Sequence, residues 1–293
     1  MDRVLKAVRR WSSVPIAIQL GHAGRKASQD LLWHGGRQIA PDGRNGWQTL
    51  APSPLCWDRS ENMPRALDRA GMAEIREAFA ASARRAAALG IDAVQLHGAH
   101  GYLLHQFLSP ISNRRTDEYG GSLANRMRFP LEIFDAVRAA FPPDRPVSMR
   151  VSATDWVPGG WDIDQTVAFA GALEARGCSA IHVSSGGLDA SQNIPARPGY
   201  QVPFARAIRQ AVRIPVVAVG LITGFDQAET ILADGDADLV GVARTILYDP
   251  RWPWHAAEHF GVPMEVTEQY LFAAPPGNRS PFMPRRGGKP AAA

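Results

Sequence analysis

The sequence predicts an α/β protein built as a (β/α)8 barrel, and three observations support this fold class. Short runs rich in Val and Ile recur along the chain and alternate with segments of helical periodicity. Glycine or polar residues follow these runs at once, as they do at the carboxyl ends of barrel strands. With 293 residues, of which 45% are hydrophobic and 20% charged, the chain is large enough to bury a substantial core.

Apolar strands that alternate with helices indicate parallel βα units. No Gly-x-Gly-x-x-Gly segment opens a helix after a strand, which argues against a doubly wound dinucleotide-binding sheet. The predicted strands are Pro15–Leu20, Ile91–Leu96, Pro146–Val151, Ala180–Val183, Ile214–Gly220 and Ala237–Val242. The predicted helices lie near residues 1–11, 73–89, 122–141, 164–176, 203–212 and 225–234.

The number of predicted strands bears on domain organisation. Six strands are two fewer than a barrel of this type has, so we expect its first two βα units, roughly 60–80 residues, to be absent before Met1. Residues 1–272 are predicted to form this barrel domain, and residues 273–293, rich in Pro, Gly and Ala, a flexible tail. The long Gly-, Pro- and Trp-rich connection over residues 28–68 is expected to cover a functional site.

Composition narrows the classes of partner. The formal net charge is only +4, and the basic residues cluster only at Arg285, Arg286 and Lys289, so nucleic-acid binding is not expected. No apolar run is as long as a membrane span, and the N-terminus lacks the apolar core of a signal peptide. Cys56 and Cys178 lack metal or redox spacing, which favours a reduced cytoplasmic setting. The small positive charge instead favours a small-molecule partner that bears phosphate.

Three side chains able to bind an oxygen or move a proton follow the second predicted strand: His97, His100 and Tyr102. The histidines could donate hydrogen bonds to a substrate oxygen on which negative charge develops. They could instead form a structural pair at a loop, or part of a metal site, although no third ligand accompanies them at metal spacing. Tyr102 is a plausible proton donor because its phenol keeps its proton at neutral pH, and otherwise it is a packing residue.

A phosphate site is predicted near the last two strands. The loops after these strands, at Gly220 and at Ala243 and Arg244, are where barrels of this type bind phosphate. Arg244 could contact the phosphate or form an ion pair at a helix start. Arg150 lies within an apolar strand and should meet an anion in the barrel mouth, because an unpaired buried cation is costly. Gln19 ends the first predicted strand at the same rim.

Several segments of the sequence resemble those of a known family. QLGHAGRKAS (Gln19–Ser28), the long motif of His97–Phe129, and the segments VAVGLIT and VGVAR resemble the old yellow enzymes, which are FMN-dependent ene-reductases on (β/α)8 barrels. The likeness covers about residues 1–272. The insertion after Ser28 resembles the branch that contains the bacterial xenobiotic reductases. This resemblance implies a homo-oligomer that uses NADPH or NADH to reduce FMN and then reduces an activated alkene.

The resemblance also implies residue roles. His97 and His100 would bind the carbonyl oxygen of an α,β-unsaturated substrate over the flavin, and Tyr102 would give a proton to the α-carbon. The implied flavin contacts are Gln19 at the pyrimidine edge, Arg150 near the N1/C2 carbonyl, and Gly220, Ala243 and Arg244 at the ribityl phosphate.

This chain departs from the family at several positions. Gln95 stands where the family usually has Glu, and Ala243 where it usually has Gly. Glu268–Phe272 lacks the C-terminal arginine by which members of this branch reach a neighbouring subunit's site. The expected loss of two βα units motivates an alternative: a flavin-poor remnant that acts as a binding or partner subunit. Iron–sulfur relatives are disfavoured, because two isolated cysteines cannot hold a four-cysteine cluster.

Overall fold

The computed structural model describes residues 1–278 and 281–284. Strands and helices alternate through most of this range, as the periodicity predicts. The strands are β1 Ala17–Leu20, β2 Leu50–Ala51, β3 Arg65–Ala66, β4 Ala93–Gly98, β5 Val147–Ser152, β6 Ile181–Ser184, β7 Val216–Ala218, β8 Leu239–Val240, β9 Met264–Val266 and β10 Phe282–Pro284. The helices are α1 Asp2–Arg9, α2 Arg69–Ala88, α3 Leu103–Leu108, α4 Leu123–Ala140, α5 Ile163–Glu174, α6 Val202–Ala211, α7 Phe225–Ala233, α8 Arg244–Tyr248 and α9 Trp252–Phe260.

The main sheet is parallel and six-stranded, in the order β1-β4-β5-β6-β7-β8. Each of the six strands predicted from the sequence contributes one of these strands, so the parallel βα architecture is confirmed. Among the described residues, β1 and β8 are the two edges of this sheet and do not pair with each other. The register sets His97 opposite Arg150 and Arg150 opposite His182, which brings polar side chains of three neighbouring strands to the same level.

Local sequence signals explain where the longer helices begin. A side-chain oxygen of the residue before each of α2, α4 and α5 accepts a hydrogen bond from a backbone N–H of the first turn, which stabilises a helix start by about 1 kcal/mol. These capping residues are Asp68, Ser122 and Asp162. Pro130 lies within α4, and the helix nevertheless continues to Ala140.

The hydrophobic core lies between the sheet and its helices. Buried aliphatic side chains of the strands, such as Leu96 and Met149, belong to one cluster with aromatic side chains of the helices. The rings of Phe107 in α3 and Phe129 in α4 lie 4.5 Å apart. This core fixes the sheet, so the loops at the carboxyl ends of the strands are held on a rigid support.

The connection over residues 28–68 is ordered and contains the two-stranded parallel sheet of β2 and β3. A second small parallel sheet pairs β9 with β10, so Phe282–Pro284, within the predicted flexible tail, form a strand. The predicted basic cluster Arg285, Arg286 and Lys289 lies outside the described residues. In the part of the chain that the structure describes, no helix combines the length and the apolar character needed to cross a bilayer.

Candidate active site

The loops that follow β4 and β6 meet backbone to backbone at the carboxyl end of the sheet. His100 and Gly101 both have positive φ angles, 56° and 72°, so the chain turns sharply just before Tyr102. A Cβ at Gly101 would lie 2.1 Å from the carbonyl oxygen of Gly187, and one at Gly187 would lie 2.6 Å from the Cα of His100. Only glycine permits this approach, which sets where the side chains of His100 and Tyr102 are presented.

The structure brings together the three side chains predicted to form a catalytic cluster. His97 Nε2 lies 3.4 Å from His100 Nδ1, and the two imidazole rings are almost perpendicular. The ring of Tyr102 lies 4.8 Å from that of His97, measured between centroids. His97 has only 8% of its surface exposed, and His100 and Tyr102 are partly buried. The cluster is therefore compact and largely shielded from water.

Hydrogen bonds orient both imidazoles. The backbone N–H of Ala99 donates to His97 Nδ1 over 3.3 Å, which leaves the proton of a neutral His97 on Nε2. His100 Nε2 lies 2.7 Å from the hydroxyl oxygen of Ser184, and the backbone N–H of His100 donates to Ser152 Oγ over 3.0 Å. Because a hydroxyl both donates and accepts, Ser184 is compatible with either neutral tautomer of His100.

Burial keeps both histidines neutral at physiological pH. Loss of hydration, followed by the charge of Arg150, lowers the pKa of His97 to about 4. The same causes, in the same order, lower the pKa of His100 to about 2. At pH 7 each ring therefore carries one N–H donor and no charge. Such donors suit a neutral carbonyl oxygen that gains negative charge during a reaction.

Lys26 is a site residue that the sequence analysis did not single out. Its ammonium group donates to the carbonyl oxygens of His100, over 3.2 Å, and Gly187, over 3.0 Å. The same nitrogen lies 5.7 Å from the ring centroid of Tyr102 and 4.9 Å from that of Trp57. Burial, and next the charge of Arg25, lower the pKa of Lys26. Its position a few residues after β1, within the segment Gln19–Ser28 that carries the family resemblance, is the signal in the sequence that could have found it.

A buried His–Asp pair, which was not predicted from the sequence, contacts the loop that follows β4. His105 Nε2 lies 2.8 Å from Asp155 Oδ1, and both side chains are fully buried. The backbone N–H of Gly101 donates to His105 Nδ1 over 2.9 Å, so the pair anchors the peptide that leads into Tyr102. The second oxygen of Asp155 accepts from Ser109 Oγ over 2.6 Å and from the backbone N–H of Trp161 over 2.7 Å.

A cavity of about 290 Å³ adjoins this cluster at the carboxyl ends of β5 to β8. Four of the five residues predicted to bind the cofactor line it: Arg150, Gly220, Ala243 and Arg244. The fifth, Gln19, does not line the cavity; it is exposed on β1, where its amide donates to Gln95 Oε1 over 2.7 Å. The structure therefore groups the two predicted phosphate loops with Arg150 and leaves Gln19 on a separate strand.

The cavity has the properties that FMN requires. Arg150 Nε and His182 Nε2 are buried, and neither has a hydrogen-bond partner among the described residues, although both residues line the cavity. A Cβ at Gly241 would lie 2.9 Å from Val219 Cγ1, so glycine keeps this wall open. The unpaired Arg150 Nε and His182 Nε2, together with the guanidinium of Arg244, suit a ligand with a phosphate and polar ring oxygens.

His182, Ser184 and Gln201 line the same cavity and were not predicted from the sequence. His182 and Ser184 belong to a strand that was predicted, but periodicity alone did not reveal that they face a site. Their alternation with the buried Ile181 and Val183 was the available signal. Among the described residues, no group of three or more His, Cys, Asp or Glu side chains is placed to hold a metal ion.

Comparison with known proteins agrees with this geometry. A family model described as the NADH:flavin oxidoreductase / NADH oxidase family matches residues 2–261. An NADPH dehydrogenase of Geobacillus sp. (strain WCH70) is 42% identical over 272 residues, which are 92% of this chain and 73% of that protein.

Two solved structures show the same fold. An old yellow enzyme homologue from Zymomonas mobilis matches with a TM-score of 0.70 at 25% identity, over 94% of this chain and 76% of that one. A 2-naphthoyl-CoA reductase complex matches with a TM-score of 0.72 at 27% identity, over 83% of this chain. The match covers 38% of the reductase, so this chain spans well under half of that protein's length.

Proposed function

Because the chain belongs to the NADH:flavin oxidoreductase / NADH oxidase family, we propose that it uses NADPH or NADH and FMN to reduce the C=C bond of α,β-unsaturated carbonyl compounds or similar activated alkenes. Family membership gives the oxidoreductase class and the flavin and nicotinamide cofactors. The proposal that the substrate is an activated alkene rests on one observation, which is the neutral pair of His97 and His100 beside Tyr102.

Different residues around the cavity would bind different parts of FMN. When bound, FMN supplies the hydride transfer between the nicotinamide and the alkene, which amino-acid side chains cannot perform. Arg244 and the backbone at Gly220 and Ala243 would hold the phosphate, and Arg150 would hold the polar edge of the ring. Gln19 would reach the pyrimidine edge from β1, as the family resemblance implies.

The histidine pair binds the substrate oxygen. His97 Nε2 and His100 Nδ1 face each other across 3.4 Å, so one carbonyl oxygen at the edge of this gap can accept from both. In that state Ser184 donates its hydroxyl proton to His100 Nε2, which leaves the ring proton on Nδ1. Neutral donors of fixed orientation stabilise the negative charge that develops on the oxygen without attracting a competing anion beforehand.

Tyr102 provides the proton for the α-carbon of the alkene. Its phenol lies against His97, beside the proposed position of the carbonyl group, where its hydroxyl can act as a general acid. The ammonium of Lys26, 5.7 Å from the ring centroid, favours the phenolate that forms once the proton has left. Water then returns a proton to Tyr102 for the next cycle.

We also propose that the protein acts in the cytoplasm on small molecules. Cys56 and Cys178 are free thiols, as expected in a reducing cytoplasm, and small-molecule alkenes are the proposed partners. A homo-oligomer is proposed from the family resemblance, and no role in binding nucleic acid or membranes is proposed.

The test is turnover of 2-cyclohexenone by the chain supplied with FMN and NADPH. We expect cyclohexanone as the product, and we expect His97→Ala to lower the rate about 10²–10³-fold, the usual effect of losing one oxyanion donor. His34→Ala removes an exposed histidine and should leave the rate unchanged. An untouched enone would reject the proposed function, and equal rates for His97→Ala and the wild type would reject the role of His97 in it.

The open sheet supports a second candidate. Because β1 and β8 do not close the barrel among the described residues, a flavin-poor protein that acts only as a binding or partner subunit is also consistent with the fold. The visible absorbance spectrum distinguishes the two candidates after FMN is added and the protein is desalted. Retained flavin absorbance favours the enzyme, and its complete loss favours the binding subunit.

A further inference from the structure

His182 is a partly buried histidine for which neither the histidine pair nor the phosphate loops provide a role. It lies on β6, in register with Arg150 on β5. Its Nε2 atom is buried and has no hydrogen-bond partner among the described residues, and its side chain lines the cavity. A Cβ at Gly241 would lie 3.4 Å from this atom, so the absence of a side chain at Gly241 leaves space beside it.

The other ring nitrogen of His182, Nδ1, is connected to β1 by two successive side-chain contacts. Gln19 Nε2 on β1 donates to Gln95 Oε1 on β4 over 2.7 Å. The amino end of Gln95 lies 3.3 Å from His182 Nδ1. Three side chains from three strands therefore form one relay that ends in the cavity.

The relay determines which ring nitrogen carries the proton. The carbonyl end of Gln95 accepts from Gln19, so its amino end faces His182 and can only donate. His182 Nδ1 must then accept, and the proton of a neutral ring lies on Nε2. Burial, followed by the charge of Arg150, lowers the pKa of His182 to about 4, so the ring is neutral at pH 7.

An N–H group fixed in this way is costly unless a ligand accepts from it. A buried polar group without a partner loses its hydration and gains nothing in return. Arg150 Nε is a second such donor at the same level of the sheet. Arg150 lies on β5 and His182 on β6. Neither belongs to the loops after β7 and β8, where Gly220 and Arg244 are proposed to bind the phosphate.

We propose that His182 is a further cofactor-binding residue, whose Nε2–H donates to an acceptor atom of the flavin ring or its ribityl chain, with Gln19 and Gln95 setting the tautomer. This inference rests on the cofactor site of the proposed function, but it does not depend on the identity of the alkene.

The first test reads the tautomer directly and needs no flavin. In ¹⁵N-histidine-labelled protein, the ring nitrogen shifts of His182, assigned by comparison with His182→Leu, should report a neutral ring with its proton on Nε2. Gln95→Glu should move that proton to Nδ1, because a carboxylate accepts from both Gln19 and His182. A wild-type proton on Nδ1, or no change in Gln95→Glu, overturns the relay.

The second test measures binding of FMN and of riboflavin, which lacks the phosphate, by quenching of flavin fluorescence. His182→Leu should weaken both ligands by about tenfold, the effect of one lost hydrogen bond. Arg244→Ala, the matched control, should weaken FMN and leave riboflavin unchanged. His182→Gln, which restores a side-chain N–H donor, should recover part of the loss and guards against misfolding of the leucine variant.

The outcomes separate this inference from the proposed function. Unchanged binding of both ligands to His182→Leu, a loss confined to FMN, or no flavin binding by the wild type overturns the role of His182. If His182→Leu weakens both ligands while the wild type leaves 2-cyclohexenone unreduced, the inference stands and the proposed alkene reduction fails.

Discussion

At the scale of single residues, burial supplies the chemistry of the site. His97, His100 and His182 all have pKa values far below that of an exposed imidazole, and in each case loss of hydration is the largest cause. Each ring therefore remains a neutral donor, and its hydrogen-bond partners decide which nitrogen carries the proton. The charge of Arg150 lowers the pKa at all three rings, so one cation acts on both the proposed substrate site and the proposed cofactor site.

The depressed pKa of His97 predicts a loss of stability in acid. Between pH 6.5 and about 4 the unfolded chain protonates this histidine while the folded protein does not, so the free energy of unfolding falls as the pH falls through this window. The lowered pKa of His97 changes the free energy of unfolding by at most about 3 kcal/mol across this window. Urea unfolding at pH 7.5 and at pH 4.5 measures it.

His97→Gln should make this pH dependence less steep, because one histidine with a lowered pKa is removed while His100 and His182 remain. His34→Gln, a change at an exposed histidine, should leave it as steep as in the wild type. The other titrating groups are common to the three proteins and cancel in the comparison. An equally steep dependence in His97→Gln would mean that His97 is not held neutral by the fold.

At the scale of elements, the approach of two loops positions the catalytic side chains. Gly187→Ala would place a Cβ 2.6 Å from His100 Cα at a φ of 88°, so we expect a cost of about 3 kcal/mol or more and a displaced His100. Gly177→Ala also has a positive φ, 78°, but meets nothing within 4 Å and should cost only about 1–2 kcal/mol. Urea unfolding of both variants provides the comparison, and equal costs would contradict this account of the loops.

The buried His105–Asp155 pair gives a second prediction at this scale. Asp155→Ala would leave the donors of Ser109 and Trp161 buried without their acceptor and would remove the carboxylate that lies 2.8 Å from the buried ring of His105, at a cost of about 3–5 kcal/mol. Asp162→Ala removes only the cap of α5 and should cost about 1 kcal/mol. Thermal or urea unfolding measures both values. A similar loss in the two variants would show that the buried pair is no more important than a surface cap.

The sequence predicted elements better than it predicted contacts. Hydrophobic periodicity located all six strands of the main sheet, and the polar residues at the carboxyl end of β4 and just after it identified the cluster of His97, His100 and Tyr102. It did not find His182, because the role of that residue depends on the register of β6 against β5 and on the relay from β1. Lys26 was missed for the same reason, since its partners lie far away in sequence.

At the scale of the whole molecule, the open six-stranded sheet joins two sites at one rim. The histidine pair lies on the carboxyl side of β4, and the cavity with its unpaired donors lies along β5 to β8. His100 contacts Ser184, which also lines the cavity, so the proposed substrate site and the proposed cofactor site are adjacent. This adjacency is what an oxidoreductase needs to bring a substrate against its cofactor.

The most direct test of the central claim follows the visible flavin absorbance of the FMN-loaded chain without oxygen, first with NADPH and then with 2-cyclohexenone. We predict that NADPH abolishes the absorbance and that the enone restores it, with cyclohexanone formed in equal amount. The return should be about 10²–10³-fold slower in His97→Ala, while loss of absorbance with NADPH still occurs. An absorbance that NADPH leaves unchanged, or that the enone does not restore, would contradict the account.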